Sequence, residues 1–266
     1  MEFTEPLQAA AAVVSLAILA SAACSDIRTR EVPDIHWASL GLIGSVLYAL
    51  LCVSEEGMRF DCLAVPACLL MEFVAVAFLE GKAAVSAGAA AAVLFFAVVV
   101  QGDSPYIVTQ GLVSAAAVAA YAGLYYAGVL RGGADAKCLM SLSIALPYYP
   151  EIGPFPLMPP DPRIEEFIPP SLSVLFVGAV IAAAWALIWY AVRTDRGRMR
   201  LDEAAGSFVW ICSGEDSRGE EKEAAAARLM SEGASDAKVV YQIPFIAPLA
   251  IASAAVVLLG SPLFIL

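Results

Sequence analysis

The sequence predicts an all-α, polytopic membrane protein of about eight spans, with a small cytoplasmic α/β appendage between the last two. Three observations support this prediction. Hydrophobic residues make up 61% of the 266 residues and charged residues only 15%, whereas soluble domains are about half apolar and a quarter charged. The charges are concentrated in loops. Apolar runs of 17 residues or more recur, and such runs cross ~30 Å of hydrocarbon at ~1.5 Å per residue.

The first apolar run, LQAAAAVVSLAILASAAC, is interpreted as a retained helix rather than a secretory signal. Glu2 and Glu5 stand where a signal has a basic region, and the run ends in an aspartate instead of a processing site. The later runs are separated by polar loops. The expected spans are residues 6–25, 37–53, 61–79, 83–101, 105–130, 134–149, 170–193 and 243–266.

The positions of Lys and Arg predict the orientation of these spans, because cytoplasmic loops are enriched in both. If the loop after the first span is cytoplasmic, alternation places every basic residue inside except Arg59 and Arg163. We therefore expect a multi-pass protein of the plasma membrane with both termini outside. The outer loop 148–170 is crowded with proline, so extended structure rather than helix is expected there.

One substantial polar segment interrupts the apolar pattern, at residues 194–242. Within it, SFVWICS and AKVVYQ are typical of strands, and GEEKEAAAARLMSEG is typical of a helix ending at Gly233. The expected organisation is a bundle over 1–193, a cytoplasmic segment over 194–242 and a last helix over 243–266. The cytoplasmic segment is either a small β-α-β appendage or a solvated connector with some structure.

Composition also limits the partners. The net charge of −11 disfavours nucleic acid, and the apolar runs make the lipid bilayer the expected surroundings. The six cysteines include no CxxC pair, so a zinc tetrad is not supported, and no cofactor is expected. Cys52 and Cys62 flank one short loop; they pair if that loop faces an oxidising side, and otherwise are small packing residues.

Carboxylates near the apolar runs are the strongest functional signal, because burying such a group in hydrocarbon is costly. Asp26 ends the first span, Asp135 begins the sixth, and Glu72 lies near the middle of the third. Asp26 and Asp135 share the cytoplasmic boundary in the expected topology, so they are able to meet. The structural alternative is that both are helix-boundary acids, Asp135 serving as an N-cap, and that Glu72 is a hydrogen-bonded packing residue.

Two motifs place these aspartates in a known pattern. SDIRTREVPD contains Asp26, and GGADAK contains Asp135 after Gly132, Gly133 and Ala134. Together with the later IPF before the last helix, they resemble the type IV prepilin and archaeal preflagellin (archaellin) peptidases. These are membrane aspartyl proteases of the GxGD type with one catalytic aspartate in each motif. The resemblance covers residues 20–37, 130–147 and 238–260.

The chain departs from this family in several ways. Ala134 replaces the second glycine of GxGD, and the spacing between the aspartates fits four helices where the family usually has two. The bacterial members carry a cytoplasmic cysteine tetrad and a methylating activity; its absence from this chain favours the archaeal, cleavage-only type. Presenilin-like proteases share GxGD but pair it with a tyrosine-aspartate motif, and here Ser25 precedes Asp26.

The resemblance implies an aspartic endopeptidase that cleaves the short basic leader of pilin-like or archaellin precursors at the cytoplasmic membrane surface. Asp26 and Asp135 are then the catalytic pair, which needs neither metal nor organic cofactor. Glu31 and Asp34 are candidate contacts for the basic leader, although both also fit simple solvated loop acids. A proton-coupled transporter that uses intramembrane carboxylates is the alternative, and Glu72 is the residue that favours it.

Overall fold

The computed structural model describes residues 4–102, 104–130, 132–158, 167–192, 198–206, 209–212, 222–241 and 243–264. The chain divides into two compact units: Met1–Ala179 with Phe245–Leu266, and Val180–Pro244. The first unit is helical. The second holds a small antiparallel sheet with short helices.

Helices occur at all eight positions where the sequence predicts spans. They are α1 (Thr4–Thr29), α2 (Ile35–Glu56), α3 (Phe60–Phe78), α4 (Gly81–Gln101), α5 (Pro105–Tyr126), α6 (Gly133–Ala145), α7 (Pro170–Val192) and α10 (Ile246–Leu259). Among the described residues, six of them, α1 to α5 and α7, are long and apolar enough to cross a membrane. The chain therefore has the character of a multi-pass membrane protein.

The other two helices, α6 and α10, are shorter than the sequence suggested. They have 13 and 14 residues, and at ~1.5 Å per residue each is about 20 Å long, less than the ~30 Å of a hydrocarbon core. In α6 the chain leaves the helix at Leu146, before the proline-rich loop. The span predicted over 134–149 is thus a short helix followed by non-helical chain.

Helix α6 lies at the centre of the bundle. From Cys138 to Ala145 all of its residues are buried, and it packs against α1, α2, α3, α5 and α10. Gly44 of α2 makes one of these contacts close, because a Cβ there would lie 2.6 Å from the Ala145 Cα. Ser143 Oγ donates to the Leu139 carbonyl at 2.8 Å and is 2.8 Å from Ser171 Oγ of α7.

Where it is described, the loop after α6 consists of bends, turns and an isolated bridge between Ile152 and Phe155. Residues 146–158 contain no helix, and residues 159–166 lie outside the described residues. Leu157 and Met158 donate backbone hydrogen bonds of 3.0 and 3.1 Å to the carbonyls of Leu258 and Leu259. This proline-rich segment is therefore anchored to the end of α10. At the same end of the bundle, Cys52 and Cys62 are both free, buried thiols.

Among its described residues, the second unit has three strands, β1 (Arg198–Arg200), β2 (Val209–Cys212) and β3 (Asp236–Tyr241), in the order β1-β3-β2 with antiparallel pairing throughout. Helices α8 (Leu201–Gly206) and α9 (Lys222–Ser231) follow β1 and β2. The sequence predicted β2, α9 and β3 but neither β1 nor α8. In β3, Ala237 and Val239 are buried and Lys238 is exposed, the alternation of a strand with one buried face.

Candidate active site

Asp26 lies in the last turn of α1 and is 8% exposed. Its Oδ2 accepts a hydrogen bond of 3.0 Å from the backbone N–H of Ile246, the first residue of α10. The first N–H groups of a helix have no partner within the helix, and the positive end of the helix dipole favours a negative charge there. Asp26 therefore joins the end of α1 to the start of α10, directly after the IPF sequence.

The chain around Asp26 is held in place by local contacts. The backbone N–H of Arg30 donates to the Asp26 carbonyl at 3.0 Å, and Arg30 closes α1 with a positive φ of 59°. The Arg30 charge also acts on the Asp26 carboxylate. Across the following turn, Ser21 Oγ and His36 Nε2 are 3.1 Å apart, which connects α1 to α2.

Asp135 occupies the first turn of α6, after Gly132 as the N-cap residue. Asp135 is therefore not the N-cap residue of α6, as the structural alternative had supposed. Its side chain folds back towards Gly132, where an added Cβ would overlap the Asp135 carboxylate. A Cβ on Gly133 would meet the Tyr125 hydroxyl at 3.5 Å, an ordinary contact. The glycine that this geometry requires is thus Gly132.

The two aspartates, 109 positions apart in the sequence, interact electrostatically. Asp135 lies in a helix that is not among the six spans, and burial, with the Asp26 charge second, raises its pKa to about 7. Two carboxylates that share a site resist being ionised together, so one of them keeps its proton at near-neutral pH. Asp26 and Asp135, the pair that the sequence motifs singled out, are therefore near enough for the charge of one to act on the other.

The remaining predicted residues lie apart from this pair. Glu31 and Asp34 are exposed in the turn between α1 and α2, and Asp34 Oδ1 lies 2.7 Å from Lys137 Nζ. Glu72 is partly buried on α3, and no hydrogen bond or ion pair is found for it within the described part of the chain. Among the residues that the structure describes, no cluster of His, Cys, Asp or Glu is arranged to hold a metal ion.

Two contributors to the site were not found from the sequence. The Ile246 N–H is a backbone group, and only its position after the IPF motif pointed towards it. In the sequence, Lys137 was considered only as one of the basic residues that mark the cytoplasmic side, although it lies two residues after Asp135 in GGADAK. Comparison with known proteins adds no relative: no protein-family model matches the chain, and neither curated proteins nor solved structures show a significant match.

Proposed function

We propose that the chain is a membrane-embedded aspartyl endopeptidase that cleaves the short basic leader of prepilin-like or preflagellin-like precursors at the cytoplasmic membrane surface. The observation that carries the proposal is the electrostatic pairing of Asp26 with Asp135, across two sequence motifs on different helices. The motif resemblance names the reaction class. The substrate class follows from that resemblance.

The contacts of the two aspartates suggest which of them is ionised and which is protonated. The Asp26 carboxylate accepts a hydrogen bond from the Ile246 N–H at the start of α10, and a hydrogen bond to a carboxylate favours its charged form. Burial raises the pKa of Asp135, and no hydrogen bond to its carboxylate is found within the described part of the chain, so we assign the proton of the pair to Asp135. The resting pair is therefore a carboxylate on α1 facing a carboxylic acid on α6.

This pair is able to hydrolyse a peptide bond without a covalent intermediate. A water between the carboxyl groups gives a proton to Asp26 while its oxygen bonds to the peptide carbonyl carbon, and Asp135 gives its proton to the carbonyl oxygen. The tetrahedral intermediate then returns a proton to Asp135, the C–N bond breaks, and Asp26 protonates the leaving amine. One water is consumed and the original protonation is restored.

We further propose the membrane arrangement that this activity needs. Eight crossings, two of them through the short helices α6 and α10, place the end of α1 and the start of α6, with both aspartates, at the cytoplasmic surface outside the hydrocarbon, and both termini on the opposite side. The distribution of Lys and Arg supports this orientation. The segment 194–242 is then cytoplasmic. A substrate helix lying in the plasma membrane would present its leader junction at the level of the two aspartates.

The test is cleavage of a purified leader-bearing precursor by the purified protein in detergent, scored by size on a gel. Asp26→Asn and Asp135→Asn should each lower the rate at least ~10²-fold, and the double variant should be little worse than either single one. Glu151→Gln serves as the control for catalysis, because Glu151 is an exposed acid whose backbone N–H binds Gln8 near the start of α1, whereas Asp26 lies at the other end of that helix. Cleavage at the wild-type rate by Asp135→Asn would overturn the proposal.

A further inference from the structure

Lys137 joins three elements on the side of the bundle that carries the aspartates. Its Nζ lies 2.7 Å from Asp34 Oδ1, in the turn between α1 and α2. The same ammonium sits over the Phe78 ring at the end of α3, 4.8 Å from the ring centroid. The Lys137 side chain is 22% exposed and that of Asp34 59%, so the lysine stem is packed while the acid faces outwards.

Lys137 and Asp135 project from opposite sides of α6. Two residues along an α-helix correspond to a rotation of about 200°. Lys137 lines a cavity of about 360 Å³ together with Asp34, Tyr125 and Met140, and Asp135 is not among the lining residues. Besides burial, the charge that acts on Asp135 is that of Asp26. Lys137 therefore reaches the catalytic pair through the backbone of α6 rather than through its own charge.

We propose that Lys137 is a positioning residue that holds the start of α6 against the α1–α2 turn and so sets the separation of Asp26 and Asp135. Two of the three elements that it joins carry the two aspartates: Asp34 follows Asp26 by eight positions, and Lys137 follows Asp135 by two. The start of α6 needs such a tie, because Gly132 and Gly133 precede the aspartate and glycine leaves the backbone free to move.

The expected effects on kcat and on thermal unfolding distinguish a positioning role of Lys137 from a purely stabilising one. A single, partly exposed ion pair contributes little to the stability of a protein, so losing it should leave the bundle folded. By contrast, a misplacement of about 1 Å at a catalytic group costs up to about 10²-fold in rate. Removing the Lys137 charge should therefore lower kcat strongly while leaving thermal unfolding almost unchanged.

The inference rests on the proposed function, and its test uses the full-length protein and the precursor cleavage assay. Lys137→Met keeps the stem and removes the charge; we expect kcat to fall about 10- to 100-fold with KM close to wild type. Lys137→Arg should retain most activity. The exchange Asp34→Lys with Lys137→Asp should recover activity relative to either single variant. Lys82→Met, an exposed lysine at the start of α4, is the matched control.

A second measurement does not depend on catalysis. The carboxyl stretching band of protonated Asp135, assigned by subtracting the infrared spectrum of Asp135→Asn, should shift in Lys137→Met and return in the charge exchange. Wild-type kcat in Lys137→Met, a defect confined to KM, or an unchanged infrared band would each overturn the proposal. If the wild type cleaves no precursor, the proposed function falls, and the infrared comparison still decides whether Lys137 positions Asp135.

Discussion

Replacing Asp135 by asparagine tests the shared carboxyl site without any substrate. Burial and the Asp26 charge raise the pKa of Asp135 from 3.8 to about 7. The folded protein then binds more protons than the unfolded chain between these two values. Folding stability therefore falls as pH rises from about 4 to 7, and above pH 7 the full cost of ionising Asp135 is present.

The free-energy cost of ionising Asp135 follows from the rise in its pKa. About three pKa units correspond to about 4 kcal/mol at ~1.4 kcal/mol per unit, and we take this as an upper bound because Asp135 is partly exposed and coupled to Asp26. An asparagine carries no charge, so Asp135→Asn should remove the cost. We expect the variant to be more stable than wild type by ~2–4 kcal/mol at pH 8, although it has lost a proposed catalytic group.

The assay is thermal unfolding of both proteins in the same detergent at pH 5 and pH 8. The variant should unfold at a higher temperature than wild type at pH 8, and the difference should shrink at pH 5, where the wild-type acid is already protonated. Glu31→Gln, a change at an exposed loop acid, should give a difference that does not depend on pH. An Asp135→Asn protein less stable than wild type at pH 8 would refute the interpretation of the site.

Three further results are expected. Gly132→Ala should lower precursor cleavage about 10²-fold, because its Cβ would overlap the α6 carboxylate, while Gly133→Ala should be tolerated; equal activities would contradict this geometry. Glu72→Gln should leave the cleavage rate near that of wild type. The transporter would be favoured instead if wild type cleaves no precursor but carries a proton-coupled flux that Glu72→Gln abolishes. In a variant lacking the native cysteines, labelling from outside should reach new cysteines in 150–158 but not in 222–231, and the reverse would contradict the proposed orientation.

The sequence predicted the bundle well where apolar runs are long, because length and hydropathy alone decide whether a helix matches the bilayer. It overestimated the helix that carries Asp135, since hydropathy does not distinguish apolar helix from apolar extended chain. Leu146 ends α6, and the tyrosines after it are buried without being helical. It also missed β1, a three-residue strand that owes its existence to pairing with β3.

Much of the candidate site was readable from local chemistry. An aspartate after two glycines at the start of an apolar helix, and another in a turn of alternating charges, are costly next to a membrane, and this cost made both residues candidates for a functional site. The sequence also named Asp34 as a candidate leader contact. The structure places its carboxylate against Lys137, a partner 103 positions away that no local pattern could indicate.

The sequence by itself therefore determined the membrane character of the chain, the approximate helices and the identity of the two aspartates. Only the tertiary structure decided that the Asp26 carboxylate meets the first N–H of α10, that the Asp26 charge acts on Asp135, and that Lys137 contacts Asp34 and Phe78. The physical reason is that hydropathy and motif spacing are local along the chain. Helix packing, by contrast, is set by close contacts such as that of Gly44 with Ala145, which bring distant residues together.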